Sequence, residues 1–168
     1  MDGKIFFNTF LPLLIIISFL KGVFVYITSY SPLDFYSAFC LALIPLLSLN
    51  IYSFLSIFLL SLLKALETYY ASLLFIVLYF LFFLSFQHLK KIFKTETKFF
   101  LFLFWGISLL LLIIIKTILF FDTLSLAVLD YNFWLNFIVK ILGYFFLTFL
   151  FCIGFYILFK GMIGQTHV

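Results

Sequence analysis

Long apolar segments separated by short polar ones make up most of the chain. A helix needs about 20 mostly apolar residues to cross about 30 Å of hydrocarbon. Four segments come close to or exceed that length: residues 5–27, 68–86, 99–121 and 133–159. The polar segments between them contain proline, asparagine, aspartate and lysine and are predicted to be connections. The pattern predicts an all-α integral membrane protein in which residues 1–168 form a single membrane domain.

Residues 35–66 form an apolar segment that is too long for one ordinary span and short for two. Two helices would have about 16 residues each and extend about 24 Å. Pro45 and the polar break at residues 48–50 favour a hairpin of two short helices, accommodated by a thin membrane or by partly re-entrant insertion. The prediction is therefore a bundle of six transmembrane helices in which helices 2 and 3 are short. One span over residues 35–66 is the alternative.

The distribution of charges favours six spans. With that count, the lysines outside the apolar segments fall on one side of the membrane, which the positive-inside rule identifies as cytoplasmic. These lysines are Lys4, Lys90, Lys91, Lys94, Lys98 and Lys160. The opposite connections contain Asp34, Asp122 and Asp130, and Glu67 lies at a helix end. Six spans place both termini in the cytoplasm, whereas one span over residues 35–66 would separate Lys4 from the cytoplasmic basic loop, Lys90 to Lys98.

The composition excludes a soluble domain, since 67% of the residues are hydrophobic and only 10% are charged. A soluble chain of this length could not bury that much apolar surface. The net charge of +4 does not indicate nucleic-acid binding, because the lysines are dispersed among apolar spans. Membrane lipid is the expected partner.

Four lysines lie within the apolar segments: Lys21, Lys64, Lys116 and Lys140. In one interpretation their ammonium groups extend outward to the membrane surface. In the other they pair with acids of the outer connections or line a polar cleft, and Lys64 and Glu67 share a helix face because they are three residues apart. The candidate polar and partner contacts are Asp34, Lys64, Glu67, Lys116, Asp122, Asp130 and Lys140.

The chain contains no motif that predicts catalysis. The phosphate-binding, zinc-protease and nucleophile-elbow patterns are absent, and His88 and His167 are isolated. Cys40 and Cys152 lie in apolar segments without metal-ligand spacing. We therefore expect no catalytic, cofactor-binding or metal-binding residues, and a helix bundle that binds a partner.

The layout resembles the rod shape-determining protein MreD family of small six-helix bacterial inner-membrane proteins. The resemblance lies in the sequence Ser-Pro-Leu-Asp-Phe at residues 31–35, in residues 52–66, in residues 69–91 that lead into the basic loop, and in the ending Phe159-Lys160. It implies a non-catalytic component of the cell-shape and elongation machinery. The implied role is to bind MreC, a single-span protein, and to support lateral peptidoglycan synthesis with MreB, RodA and a class B penicillin-binding protein.

Two other classes of function remain open. The substrate-binding S component of an energy-coupling-factor vitamin transporter is also a six-helix protein of this size. Its outward-facing pocket would be lined here by Asp122, Asp130, Asn132 and Lys140. A small accessory subunit of a respiratory or secretion complex is the third class.

Overall fold

A computed structural model describes residues 3–28, 34–67, 72–93, 97–122 and 131–165, and its regular elements within these ranges are all helices. Helix α1 is continuous and consists of Gly3–Ile5, the π-helical Phe6–Phe10 and Leu11–Thr28. The others are α2 (Phe35–Leu43, extended by the 3-10 turn Ile44–Leu46), α3 (Ile51–Glu67), α4 (Ser72–Ile92), α5 (Lys98–Asp122) and α6 (Tyr131–Gln165). The predicted all-α class is confirmed.

Four of these helices, α1, α4, α5 and α6, contain segments long and apolar enough to cross a membrane. The segments are Gly3–Val23, Leu73–Ile92, Lys98–Ile118 and Trp134–Met162. The apolar segment Phe35–Leu46 is shorter. The chain is therefore an all-α membrane bundle, as its hydropathy pattern predicts.

Helix α2 is the centre of the bundle, because all nine of its residues are buried. It packs most extensively against α6 and also contacts α3 and α5. The ring of Phe39 lies between aromatic rings of α1 and α6, at 5.9 Å from Phe10, 5.5 Å from Phe155 and 4.9 Å from Phe159. A helix that is surrounded on all sides has no need of a polar face.

The end of α2 is broken by Pro45, and two side chains compensate for the break. Proline has no N–H, so the carbonyl of Leu41, four residues earlier, loses its helical donor. The indole Nε1–H of Trp105 on α5 donates to that carbonyl at 2.9 Å. The side-chain amide of Gln87 on α4 donates to the Leu47 carbonyl, also at 2.9 Å. Both buried carbonyls thus find a donor inside the protein, as an apolar environment requires.

Helices α2 and α3 form a hairpin whose two outer ends meet. The Asp34 carboxylate at the start of α2 lies 2.7 Å from the Lys64 ammonium near the end of α3. At the hairpin tip, the Asn50 side chain caps α3 by accepting the Ser53 N–H at 2.8 Å. The prediction of two short helices over residues 35–66 is confirmed, and the single-span alternative is wrong, because one straight helix would keep its ends far apart.

Three exposed lysines lie at the opposite end of the bundle from this contact. Lys90 and Lys91 end α4, Lys98 begins α5, and all three are exposed. The hairpin tip reaches this basic end, since Gln87, which binds the Leu47 carbonyl, precedes Lys90 by less than one turn. Lys94 of the predicted basic loop lies outside the described residues.

Candidate functional site

The site is built around Asp34, which caps the N-terminus of the buried helix α2. Its Oδ1 accepts the backbone N–H of Ser37 at 3.1 Å, the contact expected of an aspartate that precedes an apolar helix. The residue is only 4% exposed. An ionised carboxylate at such a position needs cationic partners.

Three polar side chains from other helices converge on the second oxygen of this carboxylate. Lys64 on α3 and Lys116 on α5 each place Nζ 2.7 Å from Asp34 Oδ2. The Tyr144 hydroxyl on α6 donates to the same oxygen at 2.8 Å and accepts from Lys116 at 2.8 Å. Because α2, α3, α5 and α6 each supply one of these groups, a single carboxylate joins four helices.

A second acid connects this centre to α1. Lys64 Nζ lies 3.0 Å from Glu67 Oε2, and Lys21 on α1 forms an ion pair with the other oxygen of Glu67. The Lys21 ammonium also lies over the Tyr36 ring, 4.3 Å from its centroid. We refer to Lys21, Asp34, Lys64, Glu67, Lys116 and Tyr144 as the charge cluster.

Among the described residues, the charge cluster has three ammonium groups and two carboxylates. Burial alone would raise the pKa of the Asp34 carboxyl, but Lys116 and Lys64 outweigh burial and hold that pKa well below its ordinary value. The Asp34 carboxylate is therefore ionised at neutral pH.

The structure brings together four of the predicted polar contacts, Asp34, Lys64, Glu67 and Lys116, in the charge cluster. Lys64 is 5% exposed, so it pairs inside the bundle and does not extend to the surface. Lys140 lies on α6 about one turn before Tyr144, and its side chain is exposed. The side chain of Asp122 and the whole of Asp130 lie outside the described part of the structure.

Two polar contacts are not predicted from the sequence: that of Tyr144 in the charge cluster and that of Trp105 at the Pro45 break. Tyr144 gave no signal, because a tyrosine in an apolar helix is commonplace. Trp105 could have been sought, since Pro45 predicts an orphaned carbonyl at Leu41 that a donor from another helix must satisfy. The sequence places Lys21 within a span, but its pairing with Glu67 depends on tertiary contacts between α1 and α3.

Hydrogen bonding continues from the charge cluster into the bundle interior. The hydroxyls of Ser37 and Tyr79 are hydrogen-bonded to one another, and both residues are fully buried. Farther in, Cys40 and Cys152 are buried free thiols. Among the described residues, no group of three or more His, Cys, Asp and Glu is placed to hold a metal ion. The arrangement can fix helix positions and present positive charge to an anion.

Comparisons of the chain with protein-family models, with curated proteins and with solved structures give no match.

Proposed function

We propose that this protein is a non-catalytic, multi-pass scaffold of the bacterial inner membrane that binds other membrane proteins. In this proposal it crosses the membrane six times with both termini in the cytoplasm. Its role is the one that the resemblance to the MreD family implies, namely binding an MreC-like single-span protein within the cell-shape and elongation machinery.

The observation that carries the proposal is that the buried charged groups bind one another. Asp34, Lys64 and Lys116 are engaged with one another and with Tyr144, and their contacts hold helices together. An enzyme instead needs reactive groups that converge on space for a substrate. A bundle fixed by such a cluster is suited to presenting constant outer surfaces to partners.

Helix α6 offers the partner surface that we favour. Only 11% of its apolar stretch is buried in the bundle, against 33% in each of the other three long helices. Val139, Phe146, Leu150 and Ile157 are at least 60% exposed and lie on one face, because they are spaced by seven, four and seven residues. Gly154 lies on this face with open space around its Cα, and small residues allow close helix–helix approach in membranes.

The proposal is tested by purifying the tagged full chain from bacterial membranes. The proteins that co-elute with it are then identified. We expect a single-span protein with a periplasmic coiled coil. Gly154→Leu should reduce its recovery by roughly tenfold, because an added side chain blocks close approach. Gly22→Leu on α1 is the matched control, since Gly22 also faces open space. Equal recovery with both variants would contradict the assignment of α6, and co-elution of a transporter ATPase would contradict the scaffold role.

The substrate-binding S component of a vitamin transporter is the second candidate. The partly exposed ammonium groups of Lys21 and Lys116 favour it, because their side chains are 18% and 29% exposed and positive charge suits an anionic substrate. Tight binding of a carboxylate-bearing vitamin by the purified chain, without any protein partner, would support this candidate over the scaffold.

A further inference from the structure

Helix α1 contains an irregular turn near its beginning. Residues Phe6–Phe10 are π-helical, and the Leu11 N–H donates to the carbonyl of Phe6, five residues earlier. Pro12 follows at once and has no N–H, so the Asn8 carbonyl loses the donor that an α-helix would supply. Asn8 and Pro12 are both exposed. π-helical turns inside α-helices are frequent at functional sites, and this one has a polar residue on its outer side.

Asn8 lies within the membrane-spanning segment of α1. That segment begins at Gly3, so Asn8 lies about 7–8 Å along the helix axis from its end, one turn deeper than Lys4. A carboxamide that faces lipid leaves its donors and its acceptor unpaired, which costs free energy. Asparagine side chains in transmembrane helices therefore form hydrogen bonds with other helices.

Six exposed residues form one continuous seam along α1. They are spaced by four, three, four, three and four residues, the period of 3.5 with which two helices pack along their whole length. Ile15, Phe19 and Tyr26 of this seam are 69%, 69% and 88% exposed. At Gly22 the seam opens into an apolar groove that Phe19, Val23 and Tyr26 also line, and small residues allow close helix–helix approach in membranes. We refer to Asn8, Pro12, Ile15, Phe19, Gly22 and Tyr26 as the α1 seam.

We propose that the α1 seam binds the α1 seam of a second copy of this chain. All copies insert into the bilayer with the same orientation, so a two-fold axis along the membrane normal brings identical residues together at the same depth. Asn8 of one copy then meets Asn8 of the other. A carboxamide both donates and accepts hydrogen bonds, so the two side chains satisfy one another. A helix of another protein would need a donor and an acceptor at this depth, which a second copy supplies by symmetry.

This inference is independent of the partner proposed for α6, because it concerns a different helix. Cross-linking of copies in native membranes tests the position of the interface. Ile15→Cys and Ile16→Cys are matched variants, since both isoleucines are exposed but only Ile15 belongs to the α1 seam. Each is introduced into a chain in which Cys40 and Cys152 are replaced by alanine.

Under a mild oxidant, Ile15→Cys should form a disulfide-linked dimer in roughly tenfold greater yield than Ile16→Cys, because a disulfide requires Cβ atoms about 4 Å apart. Equal yields would overturn the proposal. Cross-linking of Ile15→Cys to another protein, and not to a second copy, would also overturn it.

The contribution of Asn8 is measured by energy transfer between donor-labelled and acceptor-labelled copies of the full chain in phosphatidylcholine vesicles. Asn8→Leu removes both hydrogen bonds of the pair and should weaken dimerisation by roughly tenfold. Asn136→Leu is the matched control, because Asn136 is also exposed but lies on α6, and it should leave dimerisation unchanged. Equal effects of the two variants, or no dimer of the unaltered chain, would contradict the proposal.

Discussion

At the scale of single residues, Asp34 determines how the charged groups are arranged. One of its oxygens caps α2 and the other accepts from Lys64, Lys116 and Tyr144. The same residue thus begins the central helix and fixes three others around it. Removal of one member of a buried ion pair leaves an uncompensated charge, which is more damaging than removal of both members.

Asp34→Asn should therefore destabilise the bundle by about 3 kcal/mol, the lower end of the range for breaking a buried pair. Asparagine retains the cap but leaves Lys64 and Lys116 facing one another without the carboxylate. Thermal unfolding in detergent measures the loss, and Asp34→Asn combined with Lys64→Met should recover part of it. Strict additivity in this double-mutant cycle would show that the two groups are not coupled.

Glu67 should be coupled to two lysines, because Lys21 and Lys64 each pair with one of its oxygens. Its side chain is 25% exposed, so each coupling energy should be only about 0.5–1 kcal/mol. The cycles Glu67→Ala with Lys64→Ala and Glu67→Ala with Lys21→Ala measure these energies. Adding salt should reduce the Lys21 coupling more, since Lys21 is the more exposed of the two. Zero coupling in both cycles would remove Glu67 from the charge cluster.

At the scale of the elements, the short helix α2 depends on side chains from its neighbours. Its break at Pro45 could be predicted from the sequence, and so could a hairpin over residues 35–66. The donors that stabilise the break, Trp105 and Gln87, lie 64 and 40 residues from their acceptors. Such hydrogen bonds follow from how the helices pack, and the sequence near each residue does not predict them. The sequence likewise predicts Asp34 as a polar connection residue but does not reveal which lysines turn toward it.

Trp105→Phe should destabilise the bundle by about 1–3 kcal/mol, the cost of a buried carbonyl without a donor. Trp134→Phe on α6 is the matched control, because Trp134 is 41% exposed, and it should cost much less. In a Pro45→Ala background the residue at 45 regains an N–H that can reach the Leu41 carbonyl. The cost of Trp105→Phe should then fall. An undiminished cost in that background would mean that the indole acts through packing and not through its hydrogen bond.

At the scale of the whole molecule, the contacts determine which helix ends lie together. Lys21, Lys64, Lys116 and Tyr144 meet at Asp34 or Glu67, so the adjoining ends of α1, α3, α5 and α6 share one end of the bundle. Gly3 packs against Tyr52 at the start of α3, which places the beginning of α1 at the other end with the exposed lysines of α4 and α5. The hairpin α2–α3 returns to the end from which it starts, whether or not its tip crosses the whole membrane. The segregation of charge predicted from sequence thus agrees with the arrangement of the described helix ends.

This arrangement leads to a prediction about orientation that reporter fusions can check. Fusions of green fluorescent protein at residue 95 and at the C-terminus should both fluoresce, and alkaline phosphatase inserted at residue 126 should be active. The reason is that lysines near span ends are retained in the cytoplasm, and Lys90, Lys91 and Lys98 lie at the basic end.

Replacing these three lysines and Lys94 by glutamine should weaken the preference for one orientation and yield a mixture of both orientations. Replacing Lys21, Lys64 and Lys116 is the contrasting variant, because these lysines are paired in the charge cluster and their loss should reduce stability without inverting the chain. Active alkaline phosphatase at residue 95 with fluorescence at the C-terminus would require an odd number of crossings between them, which is incompatible with α5 and α6 both spanning the membrane.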